Sequence, residues 1–94
     1  MFGMFRRQDP HFKEEPGALL ARVRTQRSGE IVKVRISKTS EMSTSGRGYF
    51  VRKALVGPET FDQATLEVTT NRAHKVVQAT VDGGELVPVS AWTD

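Results

Sequence analysis

Between Ala18 and Lys38 the sequence alternates with a period of two on both sides of Ser28-Gly29, and few folds accommodate that. Arg22-Val-Arg-Thr25 leads into the turn signal and Ile31-Val-Lys-Val-Arg-Ile36 leads out of it. Alternation of this kind flanking a Gly-containing loop predicts a β-hairpin over 18–38. With the turn centred on Ser28-Gly29, Arg22 lies opposite Arg35 and Arg24 opposite Lys33. Val23 then lies opposite Val34, Thr25 opposite Val32, and Ala21 opposite Ile36. One face is apolar and the other carries four cations. Like charges directly across a ribbon repel, so that face calls for nearby carboxylates or an anionic partner.

The rest of the chain reads as further short strands. Tyr49–Val56 and Ala64–Thr70 alternate or carry β-branched residues, and a Gly57-Pro58 turn separates them. Phe61, just after that turn, is expected to anchor in the core. Residues 72–81 fit either a strand or a helical stripe. The valines and the hairpin-like Asp82-Gly83-Gly84 favour strand. Glu85–Trp92 reads as a last strand, at an edge or bent where Pro88 lacks a donor. Asp9-Pro10 is a helix-start pair, which predicts a short N-terminal helix ended by Pro16-Gly17.

The expected fold is therefore mostly β: a small barrel-like or rolled antiparallel sheet of five to six strands with a short N-terminal helix, or an α+β domain if 72–81 is helical. Residues 1–17 form an arm and 18–94 a single β domain. The expected core is Leu19, Ala21, Val23, Val32, Val34, Ile36, Val51, Leu55, Phe61, Leu66, Val68, Val77, Ala79, Leu86 and Val89, with Trp92 capping one end.

Chemistry narrows the function classes. The 94 residues include no cysteine, which excludes thiolate metal sites and cysteine nucleophiles and fits a reducing, cytoplasmic setting. His11 and His74 are far apart in sequence, and no acid, histidine or nucleophile cluster has catalytic or metal-ligand spacing. A non-enzymatic protein without metal or cofactor is expected. No apolar run reaches the ~18 residues of a membrane helix.

Charge is unevenly distributed. Residues 1–17 are neutral, 18–56 carry a net charge of +7, and 57–94 carry −4. This polarity points to a polyanion or acidic protein partner, to internal pairing, or to head-to-tail self-association. The candidate nucleic-acid-binding set is Arg22, Arg24, Lys33, Arg35, Lys38, Arg47, Tyr49, Arg52 and Lys53, with Tyr49 or Phe50 as an aromatic among cations. Such a surface grips backbone phosphates, so weak sequence specificity is expected. The alternative is a protein-interaction, assembly or accessory inhibitor role, with Phe2, Met4 and Phe5 of the arm docking on a partner.

Arg47-Gly48-Tyr49-Phe50-Val51 resembles the RNP1 pattern of RRM domains, but one residue is missing between the aromatics. Tyr49 and Phe50 then point to opposite faces, and the paired stacking platform of that family is not implied.

Overall fold

The computed structural model describes residues 9–93, and within them every regular element except one 3-10 turn is a β-strand. The strands are β1 (Lys13–Glu15), β2 (Ala18–Thr25), β3 (Ile31–Ser37), β4 (Ser43–Ser45), β5 (Gly48–Val56), β6 (Gln63–Asn71), β7 (Val76–Asp82) and β8 (Gly84–Leu86). They form two antiparallel sheets of four strands each. In the first, β3 lies along one side of β2, and β1 and β8 share the other side end to end. The second runs β4-β5-β6-β7. Each sheet turns its apolar face to a common core of Leu19, Ala21, Val23, Val32, Val34 and Ile36 from the first and Val51, Leu55, Ala64, Leu66 and Val68 from the second. Phe12 completes it. The sheets are not closed into the expected barrel, because β7 and β8 bond to different sheets and nothing pairs β3 with β5.

Segment 72–81 resolves as strand, preceded by a turn. A bulge between Thr69 and Thr70 leaves Val77 unmatched in the ladder and 48% exposed, which removes it from the expected core. Asp82-Gly83-Gly84 does not close a hairpin. Gly83, at φ +89°, turns the chain from one sheet into the other. The strand expected over 85–92 shortens to β8, because Pro88 leads into the 3-10 turn Val89–Ala91.

The N-terminal helix is absent. Asp9 caps a single turn instead: its Oδ1 accepts the His11 N–H at 2.9 Å, and its carbonyl accepts the Phe12 N–H at 3.3 Å. The chain then enters β1, and Pro16 followed by Gly17 at φ +78° makes the tight turn into β2. The Asx signal at Asp9 is local, but burying Phe12 and pairing β1 to β2 favour extended chain over one or two turns of isolated helix. Phe2, Met4 and Phe5 lie outside the described residues.

Phe61 is not a core anchor. It is 73% exposed and sits at φ +62°, a left-handed conformation that costs an L-residue about 1–2 kcal/mol. The reason is its neighbour. Asp62 is the residue that turns inward, where it accepts three hydrogen bonds, and the reversal that seats it throws Phe61 outward.

The hairpin keeps the expected faces but not the expected partners. Thr25 N–H bonds Glu30 O at 2.9 Å, so the loop spans Gln26–Gly29 and its centre lies one residue earlier than expected. Arg22 faces Lys33, Leu20 faces Arg35, Arg24 faces Ile31 and Val23 faces Val32. A shift by two preserves parity, so the cations stay outward.

Candidate functional site

The outer face of β2 and β3 gathers the alternate residues that the core does not take: Leu20, Arg22 and Arg24 from one strand, Ile31, Lys33 and Arg35 from the other. Arg22 and Lys33 are directly opposite each other at its centre. The flanking cations are met by carboxylates. Arg24 Nη1 donates to Glu85 Oε2 at 2.8 Å from its partner position on β8. Arg35 Nε lies 3.5 Å from Glu15 of β1. Both pairs are solvent-exposed, and such pairs contribute only about 0–1 kcal/mol, so they exchange readily for another anion.

Trp92 lies across this face. The Arg22 guanidinium carbon is 4.5 Å from its ring centroid, a cation–π contact. The indole N–H donates to Val87 O at 3.1 Å, which fixes the ring over the strands rather than at one end of the domain. Two shallow hollows border the ring, one of about 190 Å³ towards Leu20 and Arg35, the other of about 340 Å³ towards Arg24 and Ile31. The sequence alone puts Trp92 at one end of the domain, not on this face. It follows Pro88 and the 3-10 turn, where no periodicity assigns a side to a residue; its being the sole tryptophan of the chain was the available signal.

The other residues of the expected surface do not join this face. Arg52 is on the outer face of the second sheet, 3.7 Å from Glu67 directly across from it. Lys53 is half-buried between the sheets, where its Nζ donates to Arg35 O and to both Glu41 carboxylate oxygens at 2.7 Å. Lys38 is largely covered and lies 3.8 Å from Glu14, which also accepts from Lys75 at 2.7 Å. Tyr49 stacks on His74 at 4.3 Å between centroids, so its ring already has a partner. Arg47 borders a separate hollow with Asn71 and Arg72. Four of the nine expected residues therefore share one face, and the fifth member, Trp92, comes from outside the expected set.

Carboxylates organise the loops next to the face. Asp62 Oδ2 accepts from Ser28 N–H and Thr25 Oγ1 at 2.9 Å, and from Ser28 Oγ, holding the 26–29 loop. Glu30 returns the arrangement by accepting from Glu59 N–H at 2.9 Å, Thr60 N–H at 3.0 Å and Thr60 Oγ1 at 2.6 Å. The hydrogen bond from Ser28 is the main cause that holds the Asp62 carboxyl below its ordinary 3.8, and that from Thr60 holds Glu30 below 4.5. The Lys75 hydrogen bond lowers Glu14 and that of Lys53 lowers Glu41.

A carboxyl whose folded pKa is depressed stabilises the fold above its unfolded pKa and loses that contribution as pH falls through the folded value. Stability should therefore be level from neutral pH down to about pH 5 and decline below it, through the unfolded carboxylate range near 4. Urea titrations from pH 7 to 3 check this. Asp62→Asn with Glu30→Gln should flatten the acid limb; an unchanged limb would place the linkage elsewhere.

Among the described residues no group of three or more His, Asp or Glu side chains is placed to hold a metal ion. No helix among them is long and apolar enough to cross a membrane. Compared with family models, curated proteins and solved structures, the chain matches none.

Proposed function

We propose that this chain is a small non-enzymatic binding module whose β2–β3 outer face takes the backbone of a single-stranded nucleic acid. The observation that carries this reading is Arg22 directly across from Lys33, with the Trp92 ring laid on Arg22. A row of cations on one face attracts a polyanion, and contact releases its counterions. An aromatic ring set among cations gives a base a sequence-tolerant surface to stack on. Arg24 and Arg35 extend the cationic row at both ends by exchanging Glu85 and Glu15 for phosphates. Contacts of this type position a backbone without reading bases.

Fluorescence anisotropy with labelled single-stranded DNA, duplex DNA and RNA tests it. Single strands should bind in the micromolar range. With four cations engaged, the salt slope is about −3, which is roughly 50-fold weaker binding at 200 mM than at 50 mM salt. Arg22→Glu with Lys33→Glu should abolish binding, and Trp92→Ala should weaken it about tenfold. No binding at 50 mM salt, or binding indifferent to the charge reversals, would sink the proposal. An acidic protein would then be the partner to seek, with the Phe2, Met4 and Phe5 arm as the docking element.

A further inference from the structure

The second sheet has two open edges, the outer side of β7 and the part of β5 that β4 leaves uncovered. The Gly57 N–H bonds Asp62 O at 2.8 Å, and this pair continues the β5–β6 register beyond Val56 and Gln63. Hydrogen-bonded pairs alternate along an antiparallel ladder. Val51, Lys53 and Leu55 therefore direct their main-chain groups to β6, and Arg52, Ala54 and Val56 direct theirs to the opposite side. On that side β4 covers only Gly48–Phe50. Among the described residues nothing accepts or donates at the main chain of Arg52, Ala54 or Val56. Their side chains are exposed as well, Val56 at 52%. An open, partly apolar strand edge is a template for another strand.

We infer that this edge pairs with the same edge of a second copy, antiparallel about a twofold axis through Ala54. The occupant follows from the register. Centred on Ala54, Arg52 of each copy lies opposite Val56 of the other, and the small Ala54 side chains meet on the axis. All the outward N–H and C=O groups of Arg52, Ala54 and Val56 then find partners. Centring on Arg52 would set like charges opposite and run into β4. Centring on Val56 would set Ala54 opposite Pro58, which has no N–H. The contact is isologous, so it closes at two copies instead of propagating. Within each copy Lys53 ties Arg35 of β3 to β5, so pairing also brings the cationic β3 rows of the two copies towards each other. Salt should therefore strengthen the dimer.

Sedimentation equilibrium on the full chain without nucleic acid, at moderate salt, is the test. The wild type should pass from monomer to dimer with a Kd on the order of 100 μM, as suits a small interface. Ala54→Pro removes an N–H that no intrachain bond uses, so it should stay monomeric while unfolding near the wild-type temperature. Val56→Lys, at an exposed site, should weaken the dimer by placing like charges opposite. Because the chain has no cysteine, Ala54→Cys should form one intermolecular disulfide on oxidation. A wild type that stays monomeric at about 1 mM, or a folded Ala54→Pro or Val56→Lys variant that dimerises as the wild type does, would overturn the inference, and so would absence of the Ala54→Cys cross-link.

Discussion

Leu66→Ala should lower the unfolding free energy by about 3 kcal/mol, the middle of the range for a buried leucine whose surroundings relax only partly. Leu66 is fully buried in β6, between Lys53 of β5 and Val81 of β7, and it belongs to the core that both sheets share. β6 has a hydrogen-bonded neighbour on each side, so the backbone there has little freedom to close around a cavity. For a domain of this size the loss is a large share of the roughly 5–15 kcal/mol available. It corresponds to a fall in Tm of about 12–24 °C. Urea unfolding should show the midpoint moving with the slope unchanged. A loss below about 1 kcal/mol would mean that the two sheets do not depend on Leu66 to fill the space between them.

Gly48→Ala should cost nearly as much, about 2–3 kcal/mol, for the opposite reason. A Cβ built at Gly48 falls onto the Thr70 carbonyl, against the main chain of the neighbouring strand. A side chain can swing away from such a contact, but a paired backbone cannot. Relief requires β5 to part from β6 where β4 also attaches, since Gly48 pairs with both Ser45 and Asn71. The control is Gly46→Ala. Gly46 has a positive φ of +56° but nothing within 4 Å of its built Cβ, so alanine there meets only the conformational cost, about 1 kcal/mol. Thermal unfolding of the two variants separates the mechanisms: equal losses would rule out the steric account.

What could be read from the sequence was what local periodicity encodes. The faces of the hairpin follow from alternation, so Val23, Val32, Val34 and Ile36 point inward and Arg22, Arg24, Lys33 and Arg35 outward, as expected. The register did not follow, because the loop is seated by Asp62, distant in sequence from Thr25 and Ser28. The same cause misplaced Phe61, for an aromatic next to a capping aspartate carries no mark that the aspartate takes the inward position. Asp9-Pro10 reads locally as a helix start, but the burial of Phe12, a tertiary effect, favours a single turn and a strand entry there instead. For the candidate site, alternation identified the cations of one face. Only proximity in sequence groups Lys38, Lys53 and Arg52 with them, and the carboxylates that hold these three elsewhere come from other strands and loops.

The exchange of carboxylates between the 26–29 loop and the 57–61 loop has a dynamic consequence. Each loop's amides are held by an acid at the base of the other loop, so opening either one breaks bonds that tie the two hairpins together. The two sheets are thereby cross-linked at this end, and fraying of the cationic strands there must first break bonds to a loop of the opposite sheet.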